Sequence, residues 1–442
     1  MLSILKQCNA FLWNGPLIIL LLAMHIYFTL RLGFIQKHLG KGIRYSLSGG
    51  SEDHNDNGAH HRLSGFATLS TTLAATLGTG NIIGVSSAIY FGGPGAVFWC
   101  FLSGVLGMAT AYAESYLSLR YRPENAPGCT GGPMYVLKYG LHAPKLAVFY
   151  TVCLIISSFG IGVATQVQAA ASHVGKLFHL PYGIFGILCA LMVGLVIRGG
   201  IRSVGSFCAK LVPLLGFIYI GGCLYLLIRF HAAIPSALAL IFRDAFTPKS
   251  AAAGLLGGQS LLFAVRYGLS RGLFSNEIGL GSTGIASCAS CEEKPAVQSL
   301  ISMTAPFWDT VVLCAITGIV IVVCMMENPA LFSNINATEL TNVSFGYIPW
   351  LGKALLAFCL LGFAITSMIG WYTFGEQGVL FLTKSPAGKN LYQWLYLVMV
   401  FFGSILSLEI IWESADFFNA MLIFPNLLSL FILRKHITLP DT

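Results

Sequence analysis

Residues 65–91 read GFATLSTTLAATLGTGNIIGVSSAIYF, an apolar stretch long enough to cross a bilayer as a helix, yet Gly78-Thr79-Gly80-Asn81 stands at its centre. A second such stretch, residues 254–285, reads GLLGGQSLLFAVRYGLSRGLFSNEIGLGSTGI and holds Ser275-Asn276-Glu277 between Gly272 and Gly279. Glycine and asparagine in mid-helix lower helix propensity. At membrane depth, backbone that leaves its helix survives only where protein buries it or where it lines a watery cavity. A pair of interrupted segments therefore points to the binding site of a transporter.

Composition sets the class. Charged residues are 10% of the 442 positions, hydrophobic ones are 56%, and mean hydropathy is +0.76. A soluble domain carries roughly 25% charged residues, so the chain reads as a polytopic membrane protein. The first apolar run, residues 11–33, follows Lys6, lacks a small-residue cleavage pattern and is too long for a signal-peptide core, so it reads as a retained span. Of the 12 cysteines, Cys100, Cys153, Cys189, Cys223, Cys314, Cys324 and Cys359 lie in apolar runs, where they act as small hydrophobes. Cys288 and Cys291 form a lone CxxC with no second pair, and loop cysteines are the plainer reading. His54, His60 and His61 sit in the polar loop 45–62 without ordered ligand spacing and read as solvated.

Windows of spanning length fall at 11–33, 65–91, 95–120, 148–175, 182–198, 206–230, 254–285, 299–325, 348–382, 391–411 and 414–434. The expected fold is an all-α integral membrane protein of about 11 transmembrane helices, with its termini on opposite sides. Loops on one side hold Lys37, Lys41, Arg44, Arg62, Arg120, Arg122, Lys138, Lys145, Arg198, Arg202, Lys294, Lys384, Lys389, Arg434 and Lys435. The other side holds only Lys6, Lys176, Arg229, Arg243 and Lys249. The basic side should be cytoplasmic, which places the N-terminus outside and the C-terminus inside a plasma (inner) membrane. The net charge of +8 is thus a topology signal, and no nucleic-acid partner is needed to explain it.

With the first span set aside, spans two to six and seven to eleven form two groups of five. Five is odd, so the second group enters from the opposite side, and each group opens with its broken span. That is the pattern of an inverted repeat. The division is 1–64 for the extra N-terminal helix and basic loop, 65–230 for the first repeat, and 231–442 for the second repeat and short tail.

A broken helix exposes N–H groups at one half and carbonyls at the other. The first favour a carboxylate, the second sodium or an ammonium group, so a zwitterionic amino acid with a co-transported cation suits both. Thr79 and Asn81 add polar atoms at the first break, although a glycine-mediated helix contact is the alternative there. At the second break, Glu277 is either functional or part of an ion pair with Arg266 or Arg271 that fixes the break. Ser275 and Asn276 are better direct contacts, because neutral groups cost less to bury. Thr366-Ser367 in span nine offers hydroxyls for a sodium shell, or for bonds to its own helix. Trp371 closes a pocket or packs, and Gln166 needs partners from substrate or a neighbouring helix. Glu114 and Asp309 are further intramembrane acids, readable as proton carriers or as arginine partners, and neither is placed in the site. No HExxH, GxSxG or Walker pattern is present, so the chain is not expected to be an enzyme.

At these residues the chain resembles the alanine or glycine:cation symporters, also called the sodium:alanine symporters. The matching stretches are TLGTGNIIGVSSAI at 76–89, GGPGAVFW at 92–99, GMATAYAES at 107–115 and GGPMYVLKYGL at 131–141. RYGLSRGLFSNEIGLGS at 266–282, FWDTVVLCAITG at 307–318 and SMIGWYTFGE at 367–376 follow. The resemblance implies a LeuT-like fold carrying a small amino acid, alanine or glycine, with sodium as coupling ion and no other cofactor. It implies substrate contacts from Thr79, Gly80, Gln166, Phe274, Ser275, Asn276 and Trp371. It implies a sodium site of Thr366 and Ser367 with carbonyls near Ala74 and Leu77, and a second sodium at Asn81. Val163 stands where the family carries asparagine and Ile278 where it carries alanine, both close to the implied contacts, so Ile278 is expected either to narrow the pocket towards glycine or to alter its stereochemical preference. Ser287-Cys288-Ala289-Ser290 replaces a histidine-bearing stretch.

Overall fold

The computed structural model describes residues 2–13, 15–48, 63–123, 130–247, 261–290, 292, 294–333, 335–406 and 408–439. Among them it is helical throughout, with one isolated bridge pairing Leu63 and Ser290. His54, His60, His61, Cys291 and residues 254–260 lie outside the described residues.

Each expected window contains helix. The first holds Leu2–Trp13 and Pro16–Arg31, beginning earlier than expected. The second is Gly65–Thr76, Thr79–Asn81 and Ile83–Gly92, and the third is Ala96–Arg120. The fourth runs Pro144–Gly175 through π-helical turns at Gly160–Ala164 and Ala171–Gly175. Tyr182–Arg198 and Gly200–Arg229 follow as fifth and sixth. The seventh is Leu261–Asn276 and Ser282–Ser287, and the eighth is Pro295–Glu327 with a π-helical Phe307–Cys314. Gly352–Thr383, Pro386–Gly403 and Leu408–Ile432 complete the order. Seven of these helices, and the bent second span, are long and apolar enough to cross a membrane.

Shorter helices outside the expected windows are also present among the described residues, including Pro133–Tyr135 with the π-helical Val136–Gly140. Leu39–Ser48 buries Gly42 against Leu300, Ile234–Phe246 accepts the Trp99 indole N–H at Ala245 O, 3.0 Å away, and Leu340–Phe345 tucks Phe345 fully inside. They are too short or too amphipathic to register in a search for spanning windows.

The two breaks are real and differ in form. The halves of the second span meet at 62°, through Leu77 and an extended Gly78. In the seventh, Glu277, Gly279 and Gly281 take φ of 57°, 100° and 89°. The glycines adopt that left-handed backbone freely, whereas Glu277 does so at a cost of about 1–2 kcal/mol. Residues other than glycine held in that region cluster at functional sites.

Loops assigned to the basic side do share one end of the bundle. Arg31 donates to Arg434 O, Arg120 donates to His436 O, and Leu63 pairs with Ser290. At the other end, Asn9 donates to Glu413 and Arg229 to Tyr347 O.

Small residues let the broken spans press against their neighbours. A Cβ at Gly268 would stand 2.5 Å from Ala96 O, and one at Gly370 would stand 2.8 Å from Ala75 N. Gly370→Val is therefore expected to destabilise by about 1–3 kcal/mol through overpacking. Its melting temperature in detergent should fall, while Gly216→Val, where nothing lies within 4 Å, should leave it unchanged.

Candidate functional site

The breaks lie against each other. A Cβ at Gly80 would meet the Phe274 ring at 3.3 Å and the Ser275 Cα at 3.5 Å, so the first break approaches the second because residue 80 has no side chain.

At the first break, freed N–H groups are met by side chains. Gly78 N–H donates to Asn81 Oδ1 at 3.1 Å. Thr79 donates from both its N–H and its hydroxyl to Gln166 Oε1, at 3.0 and 3.1 Å, and Gln166 Nε2 donates to Ile161 O at 3.3 Å. Gln166 lies two residues after the π-helical turn Gly160–Ala164, the kind of irregularity that recurs at functional sites.

The freed carbonyls gather around one hydroxyl. Ser367 Oγ lies 3.1 Å from the Ala74 and Ala75 oxygens and 3.4 Å from that of Leu77. A hydroxyl has a single hydrogen to donate, so it cannot satisfy three acceptors. Crowded oxygens of this kind suit a hard cation. Thr366 is arranged otherwise: its hydroxyl donates to Phe363 O of its own helix at 3.0 Å.

Asp309, left out of the site on sequence grounds, joins the two breaks. Its Oδ1 accepts from Asn81 Nδ2 at 2.7 Å, and its Oδ2 accepts from Ser275 at 2.9 Å and Thr310 at 2.6 Å. It sits on the π-helical Phe307–Cys314, fully buried. Asn81 is thereby engaged at both ends of its amide, and Cys314 Sγ lies 3.3 Å from its nitrogen. The signal was present in the sequence: an acid inside an apolar span is functional by default.

At the second break, Glu277 pairs with neither arginine. Its Oε1 accepts from Trp371 Nε1 at 2.6 Å, and the indole rests against Gly162, which leaves room for it. Arg266 lies over the Tyr267 ring, and Arg271 lies over Trp412, 5.0 Å from its centroid. Asn276 Oδ1 accepts the Ile278 N–H at 3.1 Å. Glu277 Oε2 and Asn276 Nδ2 are buried and make no hydrogen bond among the described residues, with the Ser282 hydroxyl the polar group near the Glu277 carboxyl. Glu114, the other acid left out, accepts from Gly279 N–H at 2.8 Å and Asn426 Nδ2 at 2.7 Å. Asn426 also donates to Gly279 O, and the Tyr150 hydroxyl donates to Leu280 O.

Ile278 does not narrow the space between the breaks. Its Cδ1 stands 2.5 Å from where a Cβ at Gly107 would be, so the third span absorbs its bulk. A cleft of about 760 Å³, lined by Ile83, Tyr90, Gln168, His173, Lys353 and Trp412, lies at the end opposite the basic loops. Trp412 also stacks on Phe274 with centroids 4.7 Å apart, so the pair stands between that cleft and Gly80.

Two helix breaks that meet around buried polar atoms are the arrangement expected of a transporter's binding site. The family model of the sodium:alanine symporters matches residues 1–439. The chain belongs to that family. An uncharacterized transporter of Haemophilus influenzae is 39% identical over 98% of this chain and 94% of its own. The sodium/alanine symporter AgcS of Methanococcus maripaludis is 36% identical over the same shares. A solved Na+-coupled sialic acid symporter superposes with a TM-score of 0.58 at 11% identity, covering 97% of this chain and 99% of that one. The fold is therefore LeuT-like, and the sodium:alanine symporter homologue described here is a membrane transporter and not an enzyme.

Glu114→Leu should leave the Gly279 N–H and one of the two Asn426 amide hydrogens unmet, the other still meeting Gly279 O, at a cost of about 1–3 kcal/mol each. The expected outcome is a lower melting temperature than for Glu114→Gln, which keeps an acceptor oxygen.

Proposed function

We propose that this symporter imports a small neutral amino acid, alanine or glycine, with sodium. The observation that carries the reading is the oxygen cluster at the first break, where one hydroxyl faces the Ala74, Ala75 and Leu77 carbonyls. Sodium there would be held by Ser367 and by the Ala74 and Leu77 carbonyls, at the end of a half-helix whose dipole favours a cation. Thr366 would join only by rotating off Phe363 O.

The substrate would lie between the breaks. Its ammonium would meet Glu277 Oε2 and its carboxylate the Thr79-Gly80 backbone, with Asn276, Ser275 and Gln166 supplying neutral hydrogen bonds. Phe274 and Trp371 would bound the space and favour small side chains. The relative named for sodium and alanine supports the same choice. Alternating access would come from one five-helix group, 65–230, moving against the other, 231–442, with the N-terminus outside the plasma membrane and the C-terminus inside.

A second reading rests on Asp309. A buried carboxylate tied to both breaks would let a proton replace sodium as coupling ion. Uptake of radiolabelled alanine into proteoliposomes separates the two. Sodium-driven uptake at fixed pH is expected, abolished in Asn276→Ala and Gln166→Ala, and a pH-driven, sodium-independent uptake would refute the ion assignment. Ser367→Ala should raise the half-saturating sodium concentration about tenfold, the scale on which loss of a supporting ligand acts. An unchanged sodium curve in Ser367→Ala together with one lost in Asp309→Asn would move the ion to Asp309.

A further inference from the structure

The first span stands outside both five-helix groups, yet it carries a histidine at mid-membrane. His25 is 3% exposed on the helix Pro16–Arg31. Its Nδ1 lies 2.8 Å from Thr110 Oγ1 of the third span, the ring's one hydrogen bond among the described residues.

A cavity of about 20 Å³ adjoins the ring. Its polar lining is His25, Ser103, Ser270 and Asn276, and Leu21 and Leu273 contribute apolar wall. A single water needs about 10–15 Å³ and two to four polar partners. The cavity has the volume for one water, and four polar residues line it. Ser103 gives its proton to Cys100 O at 2.7 Å, which leaves its lone pairs free to accept.

Asn276 is the residue that links this cavity to the second break. Its Oδ1 is fixed by the Ile278 N–H, while its buried Nδ2 has two hydrogens and no partner among the described residues. A primary amide held at one end and unmet at the other is free to turn, and turning would release the Ile278 N–H.

We propose that a buried water in this cavity bridges the His25 ring and the Asn276 amide, making His25 a positioning residue for the substrate site. The bridge serves either neutral tautomer, because water accepts from Nε2–H or donates to a bare Nε2. The extra span thus holds the second break in shape by a polar contact as well as by packing. The uptake part of the test rests on the reading that Asn276 contacts the substrate.

The experiment uses the purified full-length protein as wild type, His25→Leu, His25→Gln and His25→Asn. Glutamine carries a terminal amide to about the depth of Nε2, whereas asparagine reaches only to that of Nδ1. Hydrogen–deuterium exchange at amides 277–281 is followed without substrate, and alanine KM and maximal rate are measured in proteoliposomes. Exchange and KM should each rise about tenfold in His25→Leu and His25→Asn, the effect of one buried hydrogen bond lost. Maximal rate should hold within about twofold, and His25→Gln should restore both readouts. Equal exchange in all four proteins would overturn the bridge, and so would asparagine performing as well as glutamine. Faster exchange with an unchanged KM would overturn the positioning role. If His25→Leu cannot be recovered from membranes, the glutamine–asparagine pair decides by itself. The expected exchange order in a protein that does not transport alanine would uphold the bridge and refute the substrate reading instead.

Discussion

Backbone N–H and C=O groups freed by two helix breaks must find partners inside the protein, because the bilayer core supplies no water. Nearly every unusual residue near the midplane answers that requirement. Gln166 and Asn81 take the N–H groups of the first break, and Glu114, Asn426 and Tyr150 take the polar backbone of the second. What the protein leaves unmet is equally specific. Three carbonyls share one serine hydroxyl, and at the second break Glu277 Oε2, Glu114 Oε2, Ser282 Oγ and the Asn276 amide nitrogen stay open among the described residues. A site that satisfies most of its own polar groups and reserves a few is organised before its ligands arrive.

Asp309 makes the two breaks one unit. By holding Asn81 on one side and Ser275 on the other, it couples the geometry of the second span to that of the seventh. Glycines do the corresponding work sterically, Gly80 against Phe274 and Gly162 against Trp371. Any movement of one broken span relative to the other must therefore either carry this knot as a body or break a buried hydrogen bond.

The breaks were legible in the sequence because glycine and asparagine inside apolar windows contradict both helix propensity and lipid burial. The basic loops were legible too, and their common end in the structure follows from the same alternation of spans. What escaped was partnership across long sequence distance. Asp309 and Glu114 looked like candidate arginine partners because nothing in the chain order brings residue 309 to residue 81, or residue 114 to residue 279. Arg271 and Arg266 sit about two and three turns before Glu277, yet their side chains turn to aromatic rings, and Glu277 is claimed by an indole from the ninth span. Ile278 was judged by its size alone, whereas Gly107 on another span provides the space it fills. Short amphipathic helices escaped for a simpler reason, since a window set to the bilayer's thickness passes over them.

The central claim is that one cation at the Ser367 cluster and one amino acid between the breaks stabilise the same arrangement of the two broken helices. Linkage makes that claim measurable at equilibrium: each ligand must tighten the other by the same factor. The direct test is binding of labelled alanine to the purified protein across a sodium series at fixed pH, with the reciprocal sodium titration at fixed alanine. The account predicts that alanine affinity rises with sodium until the cation site saturates, and that the two coupling factors agree. Alanine binding of the same strength with and without sodium would contradict it.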